Sequence, residues 1–406
     1  MGQSNDFYEN LLKLFSRAEA QEILLALNDV TYCKGLLAEF EYEEGFAKSL
    51  IRYSEAQKSF NEGERILLGI KTKNTFKFTF TTQVSGFDGP HVIRFGFEAN
   101  SKLPRRLTAL VGKNGSGKTQ VLSRLATSLS GRSQLGVFNT KHLPPFSRII
   151  AISYNLFDQF EKPKKTKFFS YYYCGVQTDS KLLSEKQIQK RIQSAVATVH
   201  KNGNIALLVK YIDELLGAEI ADRLSDGDWI EERDHATKVY DRQGYSVLSS
   251  GQILMLLVVS EILAHIRKES LLLFDEPETH LHPNALSKLV STICRILDKF
   301  DSYAIVATHS PQIIQEIPSS EIFVFANDEN VPIVRKLGSE TFGENLTILT
   351  EQIFQTVGVD EFYKKTLKDL SARYTKKQIL KIFNESGTGL SLNAKIFLES
   401  LPKKRK

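Results

Sequence analysis

The chain has 406 residues, 42% of them hydrophobic and 25% charged, with a formal net charge of +6. That balance describes a globular protein with a large core and excludes a disordered or collagen-like chain. No run of 18 or more apolar residues occurs and Met1–Asp6 opens no signal peptide, so a membrane or secreted protein is not expected and a cytoplasmic one is. Cys33, Cys174 and Cys294 lie far apart and form no metal-binding or disulfide pattern.

To about residue 65 the pattern is helical, with Phe7, Leu11, Leu14 and Phe15 on one face and then Ile23, Leu24 and Leu27. Residues 1–65 are read as an N-terminal helical appendage, either partner-facing or a packing extension. From Thr75 to Phe97 the pattern alternates. Phe76, Phe78 and Phe80 fall on one side, and Val92, Arg94, Gly96 and Phe97 follow a turn at Gly86–Pro90. This predicts an antiparallel edge sheet.

Leu107–Val111 is apolar and β-prone, and Gln120–Leu129 has helical spacing. Between them stands Gly112-Lys113-Asn114-Gly115-Ser116-Gly117-Lys118-Thr119, the pattern of a phosphate-binding loop. Its glycines let backbone N–H groups turn inward, and the helix N-terminus adds partial positive charge. Lys118 is expected to reach the β- and γ-phosphates of ATP and Thr119 to ligate Mg²⁺. The 128 residues between Thr119 and Leu248 (248 − 119 − 1) include helical patterning from Glu185 to Arg223 without sustained heptads. They predict a compact helical insert, about 178–240, and exclude a long coiled-coil arm.

Leu248-Ser249-Ser250-Gly251-Gln252 precedes Ile253–Ile266, which is apolar on nearly all sides and reads as a buried helix. Serine and glycine at its start make an anion-binding end. The chain already has a phosphate loop of its own, so a second such end points to nucleotide held by another copy. Ser270–Phe274 is an apolar strand ending in Asp275 and Glu276. Asp275 is expected to hold Mg²⁺ and Glu276 to orient or deprotonate the attacking water. Ala304–Ala307 is another core strand, and it delivers Thr308 and His309 to the rim where α/β sheets bind ligands. His309 is expected to hydrogen-bond the γ-phosphate and the water. His280 and His282 have no cysteine or third histidine at ligand spacing, so a zinc site is not expected.

These four motifs, in this order, resemble the ABC ATPase superfamily. Asp275-Glu276-Pro277-Glu278-Thr279-His280-Leu281-His282-Pro283 is similar to its RecF/SMC/OLD-like branch, which works on nucleic acid. Size and layout resemble the PtuA-type ATPase subunits of Septu anti-phage defence systems, which act with an HNH nuclease. The resemblance implies an α/β fold: an ABC-type ATPase head over 66–350 with a P-loop parallel sheet, an antiparallel edge sheet, the helical insert, and helical N- and C-terminal appendages. It implies a head-to-head homo-oligomer in which Ser249, Ser250, Gly251 and Gln252 meet the ATP of the other copy. Two departures stand out. The phosphate loop begins late, at Gly112, and the nucleotide-sensing glutamine is not obvious. Gln159 is its candidate, with a plain loop glutamine as the alternative.

Only Asp328 and Glu329 supply acid near a strand after His309, so the chain is expected to cut nothing by itself. Residues 361–406 carry 12 Lys/Arg against 4 Asp/Glu, a net of +8. This basic C-terminal helical segment, 351–406, suits nucleic acid, an acidic partner surface, or simple solvation. Three roles remain open: an ATPase controlling a defence nuclease, a nucleotide-stabilised scaffold with little turnover, and a RecF/SMC-like DNA repair ATPase.

Overall fold

The computed structural model describes residues 1–33, 43–68, 75–98, 103–129, 135–139, 144, 146–154, 171–175, 183–225, 248–354, 362–385 and 389–401. The chain divides into two compact units, Met1–Leu349 and Thr350–Lys406.

The first unit opens with α1 (Asn5–Leu14), α2 (Arg17–Ala26), a π-helical turn at Phe46–Leu50, and α3 (Ser54–Leu67). Ser16 and Glu19 form a reciprocal capping box that starts α2. Tyr8, Leu11, Ala20, Leu24 and Leu67 make a small core here. The Tyr8 hydroxyl lies 2.9 Å from both Asp29 Oδ2 and Thr31 Oγ1, so the one polar atom in that core is satisfied. Leu14, Phe15 and Leu27 are exposed; α1 stops at Leu14, Phe15 turns to extended backbone, and Leu27 is the C-cap of α2.

β1 (Thr75–Gln83) and β2 (Pro90–Glu98) form an antiparallel hairpin, with Phe78 opposite Phe95 and Phe80 opposite Ile93. The inward residues of β2 are His91, Ile93, Phe95 and Phe97, while Val92 is exposed. Val92 is apolar, but register puts it on the solvent side. β3 (Leu107–Gly112) then enters a second sheet, α4 (Lys118–Leu129) follows, and β4 (Val137–Phe138) returns to pair with β1.

The second sheet is completed by β5 (Arg148–Ser153), β6 (Tyr171–Gly175), β7 (Ser270–Asp275), β8 (Tyr303–Thr308), β9 (Ile322–Asp328) and β10 (Val331–Arg335). Its order is β10-β9-β3-β8-β7-β5-β6, with every neighbouring pair parallel except β10 on β9. β3, β7 and β8 are buried at every position, which is why they read as unbroken apolar runs. Val121, Leu122 and Leu125 of α4 join Phe78, Phe80, Phe95 and Phe97 in one core. Asp328 and Glu329 sit at the β9–β10 turn, where Glu329 and Asn330 have φ of 46° and 70°.

The insert contributes α5 (Glu185–Lys201), α6 (Ile205–Leu216) and α7 (Ala218–Ser225), followed by α8 (Ser250–His265). α8 is buried almost throughout. Arg191 of α5 pairs with Glu261 of α8 and donates to the carbonyls of Gly175 and Tyr173, the latter at 3.0 Å. This buried ion pair fastens the insert to the central sheet. α9 (Pro283–Lys299) and α10 (Pro311–Gln315) complete the first unit, and α11 (Leu346–Phe354) runs across the division at Leu349.

In the second unit, α12 (Phe362–Arg373), α13 (Lys376–Glu385) and α14 (Leu392–Ser400) surround Leu367, Ile379, Ala394 and Leu398. Lys403–Lys406 lie outside the described residues. Among the described residues no helix is long and apolar enough to cross a membrane.

Candidate nucleotide site

Sheet order builds the site. Val111 of β3 pairs with Thr308 of β8, and Asp275 of β7 pairs with Ala307 of β8. The loops leaving the C-terminal ends of these three strands therefore meet at one rim.

The loop Gly112–Thr119 curls between β3 and α4. A side chain at Gly112 would strike the Phe325 carbonyl at 2.4 Å. Gly117 has φ of 89°, and a Cβ there would stand 3.0 Å from His91 Nε2. Both positions thus require glycine, one for close approach and one for a left-handed turn. Lys118 folds back over the loop and donates to Gly112 O at 2.8 Å and Lys113 O at 3.1 Å. Burial pushes its ammonium pKa down, against the carboxylates of Glu276, Asp275 and Glu278. The Thr119 hydroxyl lies 2.9 and 3.1 Å from the two oxygens of Asp275.

Glu276 leaves β7 with φ of 46°, and its N–H donates to Ala307 O at 2.8 Å. A left-handed glutamate costs on the order of 1 kcal/mol, held here by that bond. His309 Nδ1 is 3.7 Å from Glu276 Oε1 and 3.1 Å from Glu278 Oε1. Glu276, and with it Glu278, raises the imidazole pKa above its usual value, against partial burial and Lys118. The structure thus brings Gly112–Thr119, Asp275, Glu276 and His309 together.

Ser249 caps α8: its Oγ accepts from Gln252 N at 3.3 Å, and Gln252 Oε1 accepts from Ser249 N at 2.8 Å. Serine followed three residues later by glutamine is a capping box, so those two polar groups already serve the helix. Ser250 is exposed, and Gly251 faces the His280 carbonyl and Leu281. Gln159 lies outside the described residues.

Two residues at the site had no role assigned from sequence. Glu278 is one, and its signal was present: a third carboxylate three residues after Asp275. His91 is the other. It is buried between Phe87 and Phe325, with ring centroids 4.8 and 5.5 Å away, and borders Gly117. Burial lowers its pKa. Nothing local in the sequence ties residue 91 to residue 117.

The residues fit a nucleoside triphosphate with a divalent cation. Gly115 opens into free space, and Ser116 Oγ is buried without a hydrogen-bond partner inside the loop. Thr119 and Asp275 offer oxygen ligands only, the donor set of a hard cation.

A family model described as "AAA domain, putative AbiEii toxin, Type IV TA system" matches residues 185–315, from α5 to the end of α10. Protein ea59 of Escherichia phage lambda is 28% identical over 427 aligned residues, covering 95% of this chain and 79% of ea59. Septu protein PtuA of Bacillus thuringiensis is 33% identical over 94 residues, 23% of this chain and 23% of PtuA. The chain therefore matches less than a quarter of PtuA's length. Among solved structures, a nucleotide-free ATP-binding cassette from an ABC transporter has a TM-score of 0.34 at 12% identity, covering 67% of this chain and 94% of that one. The ADP conformation of the cassette MJ1267 has a TM-score of 0.36 at 11% identity, covering 70% and 100%. The phosphate loop, the acidic strand end beside it and the family match identify a P-loop ATPase with an α/β fold, similar over part of its length to PtuA.

Proposed function

We propose that the chain binds and hydrolyses ATP at composite sites between two copies, and that closure of the two heads controls a partner nuclease of HNH type in anti-phage defence. The observation that carries the ATPase chemistry is the placement of Asp275, Glu276 and His309 at the ends of the adjacent strands β7 and β8, with Thr119 of the first turn of α4 against Asp275 beside the phosphate loop. The partial similarity to the Septu protein PtuA supports the defence setting.

The loop N–H groups and Lys118 bind the β- and γ-phosphates, Lys118 exchanging its two loop carbonyls for them. Thr119 and Asp275 would hold Mg²⁺, which supplies charge neutralisation on the phosphates. Glu276 orients the attacking water and takes its proton. His309 hydrogen-bonds the γ-phosphate through Nε2, while its Nδ1 faces the carboxylates of Glu278 and Glu276. At α8, Ser249 and Gln252 cap one another, so the Ser250 hydroxyl and the first-turn N–H groups are what the helix offers to the ATP of the second copy.

Nucleic acid is met through the nuclease partner or at the C-terminal unit. There, residues 362–401 carry eight Lys/Arg against three Asp/Glu. The reading is tested by mixing Ser250→Arg with Lys118→Ala protomers. One intact composite site per heterodimer should restore ATP turnover that neither mutant shows alone, and crosslinking across α8 should report closure. A wild-type protein that binds ATP analogue but never turns ATP over would replace this reading with a nucleotide-stabilised scaffold. Co-purification with the products of neighbouring genes, followed by mass measurement with and without ATP, tests the nuclease partner.

A further inference from the structure

Glu278 reaches from the turn after β7 to the end of β8. Its Oε1 accepts from Thr308 Oγ1 at 2.8 Å and from His309 N at 2.7 Å. The same oxygen stands 3.1 Å from His309 Nδ1. Its side chain is only 11% exposed, so these contacts are made largely out of water. Glu276 Oε1 approaches that ring nitrogen too, at 3.7 Å, which is beyond normal hydrogen-bond reach. An ionised carboxylate only accepts, so a nitrogen facing two of them carries a proton.

We propose that Glu278 is a positioning residue for ATP hydrolysis: it accepts from the Nδ1–H of His309 and clamps the His309 backbone, so that Nε2 is the ring nitrogen presented to the phosphate. This rests on the ATPase reading of the site. Hydrogen bonds from Thr308 Oγ1 and His309 N, and the close approach of Nδ1, converge on one oxygen and hold both the His309 backbone and its ring. Without them the imidazole is free to rotate or to take the other tautomer, and Nε2 loses its aim. Carboxylates that orient a metal-ligating histidine in this way typically matter 10- to 100-fold, and the same order is expected for a histidine aimed at a phosphate.

The test uses the full chain with Glu278→Ala and Glu278→Gln. Glu278→Ala should lower kcat roughly 10- to 100-fold, while affinity for a non-hydrolysable ATP analogue changes less than about threefold. With ¹⁵N-histidine labelling, and His309 assigned through His309→Gln, the wild type should show a protonated Nδ1, and Glu278→Ala should lose that preference. Glu278→Gln keeps an acceptor for Thr308 and for the His309 N–H but loses the charge. It should keep the wild-type melting temperature and still show low turnover. Full turnover in Glu278→Gln would reduce Glu278 to a turn anchor and overturn the proposal. Unchanged His309 nitrogen signals in Glu278→Ala would overturn it as well. So would loss of analogue binding as severe as that of Lys118→Ala. If the wild type hydrolyses no ATP, the ATPase reading fails by itself, and the nitrogen signals still decide whether Glu278 sets the ring.

Discussion

The two ends of β7 and β8 use similar polar residues for opposite purposes. At the N-terminal end, Ser270 N donates to Ser302 Oγ at 3.1 Å, and both serine hydroxyls donate to Arg267 O. Glu269 N donates to Phe300 O, the Glu269 side chain pairs with buried Lys58 of α3, and Lys268 reaches Glu9 of α1 at 2.9 Å. Cation meets anion and donor meets acceptor, and the result pins the N-terminal helices to the sheet. At the C-terminal end, Asp275, Glu276 and Glu278 gather around one lysine, two threonines and one histidine. Acceptors exceed donors there, which suits a divalent cation and water more than it suits stability. Burial of polar groups thus marks neither structure nor function by itself. The balance of charge does.

That contrast can be broken from either side. Glu276→Gln should cut ATP turnover by roughly 10²- to 10⁴-fold, the range for losing a general base, and leave analogue binding and the melting temperature alone. A mutant with wild-type turnover in steady-state assays would remove Glu276 from the chemistry. Lys58→Ala strips one partner from a buried pair and should cost about 3–5 kcal/mol, read as a lower denaturation midpoint. ATP-analogue affinity should not change, and Lys58→Met with Glu269→Leu should recover much of the loss. If Lys58→Ala left stability intact while weakening nucleotide binding, the division of labour between the two ends would be wrong.

Lys118→Ala should weaken analogue binding on the order of 10- to 100-fold in calorimetry, through lost charge-assisted bonds, without lowering the melting temperature. Unchanged affinity would sink the phosphate-loop assignment. The smallest effect is expected away from both ends. Glu340 accepts from the N–H groups of Phe342, Ser319 and Thr341, and these hold its carboxyl down to about 2. A depressed carboxyl pKa stabilises the fold above the ordinary carboxylate range, and that contribution is lost as pH falls towards 2. Glu340→Gln should therefore flatten the acid limb of a melting-temperature profile between about pH 5 and pH 2. Because Glu340 is largely exposed, the change should be small, and an identical acid limb would discard the clamp.

The motifs were legible because each is a local instruction. Gly112–Thr119 encodes a turn followed by a helix start, and Ser249 with Gln252 encodes a cap. Continuous apolar runs at 107–111, 270–274 and 304–307 announced strands buried on both faces. Edges were read less well. The helices at Gln120–Leu129 and Ile253–Ile266 in fact begin at Lys118 and Ser250, because the glycine and serine segments already supply the first turn. Hydrophobic spacing left the exposure of Leu14, Phe15 and Leu27 open, since periodicity shows which residues share a face and not where the helix stops or what covers it.

By itself, then, the sequence determined a strand–loop–helix phosphate site, two carboxylates at a strand end and a histidine after another strand. Each of these depends on residues within one turn of each other along the chain. Only the tertiary structure decided that β8 lies between β3 and β7, which sets His309 beside Glu276 and puts Thr119 on Asp275. It also decided the Lys58–Glu269 and Arg191–Glu261 pairs, the burial of His91 against Gly117 and the grip of Glu278 on β8. Strand order in a crossover-linked sheet is not the order of the chain, so spacing along the sequence carries no measure of these distances.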